Sequence, residues 1–238
     1  MIKIPTMDDW FGLTRIYPQF QKVSNTALKD YGYMEVFKYL DDHPEAKNIL
    51  EFGHGFNLDL FRRYGGTRNL WGADAWQGLH YFPSEDEWKK EMARQISDVS
   101  TSCTFRNCLL GVEHAADLPE GFFDVVCSVS VLEEMPIEGF SSIIEHAARL
   151  LKPGGVLIGT QDFCASSWRK ERLHQCSEIQ RRSGLAVENP PDPLVIDDKT
   201  LVENPTMAML VYQDVKLAHE QGYFGHWSTL WSVAKKRL

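Results

Sequence analysis

The stretch Glu51-Phe52-Gly53-His54-Gly55-Phe56-Asn57 combines an acid, two glycines and an imidazole within seven residues. Glycine removes the Cβ atom, so backbone there can take positive φ and come close to a ligand. A helix opening directly after such a turn offers unpaired N–H groups to an anion, here a carboxylate. Farther along, Asp74 follows the apolar run Asn69–Ala73. At the end of the second strand of an open parallel sheet, a carboxylate can accept from both hydroxyls of a ribose. Either feature alone also fits an ordinary junction or a surface turn. Together they favour a nucleoside-containing ligand.

Other side chains suit proton transfer. Glu133 and Glu134 come shortly after the run Phe123–Val129, on the side where open α/β sheets bind ligands. They fit a general base and equally the first turn of a helix, where acids are favoured. Asp162 follows the run Val156–Thr160 and fits either a proton acceptor or a turn. His226 reads as a surface or structural histidine, or as a base. Trp76, His80, Tyr81, Phe82 and Trp88 form an aromatic cluster that could stack an acceptor or bury a helix on the sheet.

These residues need a scaffold, and the pattern supplies one. Helical periodicity runs over Ser24–Leu40 (capped by Ser24 or Asn25), Asn57–Tyr64, Ser84–Ile96 and Ile137–Leu151. Strand-like runs are Lys47–Phe52, Asn69–Ala73, Thr104–Leu110, Phe123–Val129 and Val156–Thr160, with Met207–Tyr212 and Trp227–Ala234 as the last two. Lys152-Pro153-Gly154-Gly155 reads as a turn and 189–198 as a loop. The alternation predicts an α/β fold with a mostly parallel seven-stranded sheet and helices on both faces.

Composition sets the limits. The chain has 238 residues, 43% apolar and 24% charged, which fits a single globular domain, 1–238. A formal charge of −8 argues against nucleic acid as a partner. Arg169, Lys170, Arg172, Arg181 and Arg182 read as a solvated helix face. Five cysteines without a close pair suggest neither a disulfide framework nor a zinc site, and no metal site is expected. The first residues do not resemble a secretory leader and no run reaches a membrane span, so a cytoplasmic location with no membrane partner is expected.

Four blocks then carry a family resemblance. Asn48–Asn57 (NILEFGHGFN), Gly72–Trp76 (GADAW), Asp117–Pro136 (DLPEGFFDVVCSVSVLEEMP) and Leu150–Thr160 (LLKPGGVLIGT) occur in one order over the middle of the chain. They resemble the class I S-adenosylmethionine-dependent methyltransferases, whose fold is Rossmann-like. The resemblance implies S-adenosyl-L-methionine as cofactor, S-adenosyl-L-homocysteine as product and methyl transfer; the acidic net charge and the aromatic cluster favour a small-molecule acceptor, methylated at oxygen. The resemblance also implies that Glu51, Gly53 and Gly55 line the methionine end, with the backbone of His54 beside it. Asp74 would hold the ribose, and Ala75 or Trp76 would flank adenine. Glu113, His114 and Ala115 match the adenine-contact segment, with His114 where an acid often stands. Ser128 and Ser130 would border the methionine moiety and the acceptor. The bases would come from His114, Glu133, Glu134 and Asp162.

The implied organisation is an N-terminal helical region over 1–46, a cofactor-binding core over 47–160, a substrate lid over 161–206 and the last strands over 207–238. Two other readings share the sheet. One is a nicotinamide-dependent oxidoreductase, which prefers a third glycine where Asn57 stands. The other is a non-catalytic protein retaining the methyltransferase fold.

Overall fold

The structure is a computed structural model that describes residues 1–20, 27–75, 84–99, 102–111, 118–135, 137–164, 169–187 and 227–238. In chain order the elements are β1 (Ile2–Lys3), α1 (Met7–Ile16), α2 (Ala27–Asp42), β2 (Asn48–Phe52), α3 (Asp59–Tyr64), β3 (Asn69–Asp74), α4 (Glu85–Ser97), β4 (Cys103–Asn107) and β5 (Phe123–Val129). They continue with α5 (Ile137–Leu150), β6 (Leu151–Cys164), α6 (Arg169–Arg182), β7 (Leu185–Val187) and β8 (Trp227–Lys236).

One sheet runs β1-β8-β6-β5-β2-β3-β4, with β7 also paired to β8. The five strands from β4 to β6 are parallel. β8 is antiparallel to β6, and both β1 and β7 pair antiparallel with β8. Since β6 occupies one edge of β8, β1 (on Trp231 and Ser232) and β7 (on Ala234 to Lys236) lie end to end along the other. The eight strands therefore fill seven positions, as the pattern predicts. The sheet is Rossmann-like: parallel strands with crossover helices and the turn-bearing β2 near its middle.

Alternate residues feed two cores. Ile49, Val125, Cys127, Val129 and Ile158 pack with Trp10, Met34, Phe37 and Phe61 of α1, α2 and α3. Leu50, Phe52, Val126 and Leu157 pack with Phe140, Ile144 and Ala147 of α5 and Cys176 of α6. No helix of the described residues is long and apolar enough to cross a membrane.

Several boundaries differ from the sequence reading. Within the N-terminal helical region, α1 precedes the one helix whose bounds the pattern gave; its start is fixed by a reciprocal cap in which Thr6 Oγ1 accepts from the Asp9 N–H and Asp9 Oδ2 from the Thr6 N–H. Ser84 caps α4 by accepting from the Glu87 N–H, one residue before the helix begins at Glu85. The third predicted strand ends at Asn107, and the Cys108 N–H makes the last ladder bond, to the Asp74 carbonyl at 3.0 Å. The turn at Lys152–Gly155 sits inside β6, where consecutive partners step from Phe123↔Leu151 to Val125↔Val156. The extra residues bulge out there, with Gly154 at φ 80. At its far end β6 runs on to Cys164, because β8 pairs with it as far as Trp227.

Residues 161–164 thus belong to β6, and 169–187 form α6 and β7 against α5 and β8. Arg181 and Arg182 are exposed on α6. The expected caps Ser24 and Asn25, the strand Met207–Tyr212, the loop 189–198 and the remainder of 161–206 lie outside the described residues.

Candidate active site

The site is built where β2 and β3 end. Glu51 is on the same face of β2 as Ile49, toward α2, and is 1% exposed. From α2, the Tyr33 hydroxyl donates to Glu51 Oε1 at 2.8 Å. Among the described residues the second oxygen, Oε2, has no hydrogen-bond partner. Burial pushes the Glu51 carboxyl up to about 8; the Tyr33 hydrogen bond opposes that shift and neighbouring Asp74 adds to it.

The helix reaches Glu51 because Gly32 precedes Tyr33. A Cβ on Gly32 would lie 2.6 Å from Val129 Cγ1 and 2.7 Å from Thr160 Oγ1. Only a residue without a side chain lets α2 settle this close to β5 and β6. The sequence signal for Tyr33 was a glycine inside a helical pattern, which marks close backbone approach.

The turn after β2 holds two left-handed glycines, Gly53 at φ 69 and Gly55 at φ 53. The Gly53 N–H donates to the Ala73 carbonyl at 2.8 Å, and a Cβ there would sit 2.6 Å from Val131. The Gly55 N–H donates to Asp74 Oδ2 at 2.9 Å. Asp74 is half-buried, as is Ala75 beyond it.

The expected helix start is corrected. Helix α3 opens at Asp59 rather than Asn57, and the Asn57 side chain already accepts the Asp59 N–H at 3.0 Å. With six residues, α3 is too short to act as an anion site by itself. Asn57 therefore shapes the turn at the position where the oxidoreductase reading prefers a third glycine.

His54 is buried edge-on against Phe61 and Phe105. Its Nδ1 lies 2.9 Å from the Gly55 carbonyl, which can only accept, so Nδ1 holds the ring proton. Burial lowers the His54 pKa against the pull of Asp74, which keeps the ring neutral. This imidazole locks the turn.

Across the sheet, Ser128 lies within β5 rather than after it, opposite Gly159, and its parity matches Val126 on the α5 face. Its side chain thus faces away from Glu51. Ser130 follows at φ 52, its N–H donating to the Thr160 carbonyl. In the short 3-10 turn Leu132–Glu134, Glu133 is buried and Glu134 exposed. Asp162 is half-buried inside β6, directly opposite Thr229 of β8, not in a turn after the strand. Among the described residues, the hydroxyls of Ser128, Ser130, Thr160, Ser228 and Thr229 are buried without partners. By strand parity Thr160 and Thr229 face the α2 side and Ser128 and Ser228 the α5 side, so these hydroxyls do not line one pocket.

The structure thus brings together Glu51, Gly53, His54, Gly55 and Asp74, with Glu133 and Asp162 at the carboxyl ends of the neighbouring strands. Trp76, His80, Tyr81, Phe82, Glu113, His114, Ala115 and His226 lie outside the described residues. Trp88 is buried on α4 with its ring edge-on to Phe56 at 5.3 Å, so it packs the helix. No group of three or more metal-ligating side chains occurs among the described residues. A groove of about 1020 Å³ opens at the opposite end of the sheet. Its lining includes the ion pairs Lys3–Glu35 and Lys38–Asp42.

Comparison with known proteins agrees with this geometry. Residues 27–190 match the methyltransferase domain family. No curated protein matches the chain significantly in sequence. Among solved structures, an S-adenosylmethionine-dependent methyltransferase from Mesorhizobium loti aligns with TM-score 0.53 and 16% identity, over 90% of this chain and 98% of its own. Geranyl diphosphate C-methyltransferase from Streptomyces coelicolor A3(2), solved with Mg2+, geranyl diphosphate and S-adenosyl-L-homocysteine, gives TM-score 0.53 and 12% identity over 85% and 78%. The [4+2]-cyclase SpnF gives TM-score 0.51 and 16% identity over 87% and 83%. At these identities the likeness is one of fold.

Proposed function

Because the chain belongs to the methyltransferase domain family, we propose that it transfers a methyl group from S-adenosylmethionine to a small-molecule acceptor, at oxygen. The observation that carries this reading is the convergence of Glu51, the Gly53–Gly55 turn and Asp74 at the carboxyl ends of β2 and β3, joined by the Gly55–Asp74 hydrogen bond.

The residues present fit the cofactor. Glu51 offers a buried oxygen that lacks a partner among the described residues, suited to the ammonium of an amino acid. Gly53 and Gly55 keep the methionine end free of Cβ atoms, and Ser130 borders it. Asp74, half-buried and at the strand end, is placed to accept from ribose hydroxyls, with Ala75 beside the base. Trp76, Glu113, His114 and Ala115 complete the adenine contact in this proposal. When bound, S-adenosylmethionine supplies a methyl group already activated on a sulfonium.

The chain's own work is positioning and proton removal. Holding the acceptor in line can supply about 7–11 kcal/mol in ideal cases. An oxygen acceptor must also lose its proton as the new bond forms, and a nearby carboxylate can take it. The bases of this proposal are Asp162 and Glu133, with His114 a further candidate; the exposure of Glu134 speaks against it. A polar acceptor also suits the Thr229 hydroxyl opposite Asp162, which has no partner among the described residues.

Calorimetric titration with S-adenosylmethionine, S-adenosylhomocysteine and NAD tests the reading. Binding of the first two and not the third supports it; binding of NAD alone overturns it. Turnover on an acceptor library, read as S-adenosylhomocysteine formed, then separates an enzyme from a protein that only keeps the fold. That distinction matters because a cyclase shares the architecture.

A further inference from the structure

We infer that Tyr33 is a positioning residue for the cofactor: its hydroxyl fixes the Glu51 carboxyl so that Oε2 is presented to the ammonium of the cofactor's amino-acid end. The inference rests on the proposed S-adenosylmethionine reading of the site and adds a residue from outside its motifs.

Three observations carry it. Tyr33 and Glu51 are both buried, and their single hydrogen bond, 2.8 Å long, uses only Oε1. That leaves Oε2 buried and without a partner among the described residues, an arrangement that costs free energy unless a donor arrives. An ammonium answers both needs, since it brings donors and a compensating charge. Second, the phenol is held by backbone, not by chance of rotamer: Gly32 seats α2 against Val129 and Thr160 at distances no Cβ could tolerate. Third, rotation of the Glu51 carboxyl is restricted by the same bond, so the direction of Oε2 is set before a ligand binds. Preorganisation of this kind lowers the cost of ordering on binding.

The electrostatics agree. The groups acting on Glu51 are Asp74 of β3 and Asp59 of α3, which favour its neutral form, and Lys29 and Tyr33 of α2, which favour the ionised one. Cys127 of β5 also lies near, its thiol pushed up by burial and by Glu51. With the carboxyl raised to about 8, the empty site holds a proton at neutral pH, and the arriving ammonium displaces it. Tyr33, by donating to the carboxylate, eases that ionisation.

The test compares two ligands on the full chain by calorimetry. S-adenosylhomocysteine has the amino-acid end; 5′-methylthioadenosine has the same nucleoside without it. Tyr33→Phe should weaken S-adenosylhomocysteine by about tenfold or more, the scale of a hydrogen bond to a charged group. Binding of 5′-methylthioadenosine should stay within about twofold. In a Glu51→Gln background, Tyr33→Phe should change the ratio of the two affinities no further. The rise of S-adenosylhomocysteine affinity with pH, centred near about 8 in the parent, should move upward in Tyr33→Phe. Equal losses for both ligands, or no loss, overturn the inference. If Tyr33→Phe does not fold, 3,5-difluorotyrosine at position 33 replaces it. The stronger donor should then tighten S-adenosylhomocysteine alone, and unchanged affinity overturns the inference. Failure of the parent chain to bind S-adenosylhomocysteine at all would instead refute the cofactor reading.

Discussion

The Gly55 N–H donates to Asp74 Oδ2 across 2.9 Å, so a side chain from the end of β3 holds the turn that follows β2. Asp74 therefore acts twice in the proposed site, once as a strut for the loop and once as an acceptor for the ribose. Alanine removes both functions; asparagine keeps an oxygen for Gly55 and loses the charge. Asp74→Ala should weaken S-adenosylhomocysteine by about 1.5–3 kcal/mol, the worth of hydrogen bonds to a charged group. Asp74→Asn should lose less. Calorimetry on folded variants measures both, and unchanged affinity in Asp74→Ala removes the residue from the site.

Gly32→Ala separates propensity from packing. In an exposed helix, alanine for glycine adds up to about 1 kcal/mol of stability. Here the added methyl meets Val129 Cγ1 at 2.6 Å and Thr160 Oγ1 at 2.7 Å. Overpacking of this kind costs about 1–3 kcal/mol. Lifting α2 also draws the Tyr33 hydroxyl away from Glu51. The expected outcome is a lower urea midpoint together with weaker S-adenosylhomocysteine binding. A variant more stable than the parent shows that α2 does not rest on those two side chains.

Gly53→Ala tests the turn itself. The residue has φ 69, and the new Cβ would meet Val131 at 2.6 Å, so both backbone strain and a clash follow. Gly55 has φ 53 with open space around a built Cβ, so Gly55→Ala pays strain alone. Thermal unfolding should therefore rank Gly53→Ala below Gly55→Ala, and both below the parent. Equal midpoints for the two variants would show that Val131 yields without cost.

The succession of the parallel strands along the chain, with Glu51 and Asp74 near the ends of two of them, was legible because it rests on local pattern: short apolar runs, glycines after the first, an acid after the second. What the sequence hid depends on distance. Tyr33 reaches Glu51 from a helix eighteen positions upstream, and only the packing of Gly32 reveals it. Asp162 looked like a turn residue because the partner that prolongs β6, Trp227 to Thr229, is far along the chain. The bounds of helix α1 escaped because its cap uses Thr6 and Asp9, a pair less recognisable than serine with glutamate. Glu133 and Glu134 are adjacent in sequence and equivalent by type; the 3-10 turn decides that one is buried and the other exposed.

Glu51→Gln should change how stability depends on pH. A carboxyl raised from 4.5 to about 8 binds its proton more tightly in the folded chain than in the unfolded one. Its contribution is fully present below the unfolded value and is lost as pH climbs through the folded one. Glutamine has no proton to release, so the variant should gain on the parent steadily between about pH 4.5 and 8 and level off above. Groups remote from Glu51 cancel in the difference. Chemical denaturation at a series of pH values, without ligand, measures it. Saturating S-adenosylhomocysteine should reduce the slope in the parent, because the ammonium then favours the ionised carboxyl. A constant difference across the range means that Glu51 is ionised in the empty site, and the proton exchange argued for Tyr33 and Glu51 falls with it.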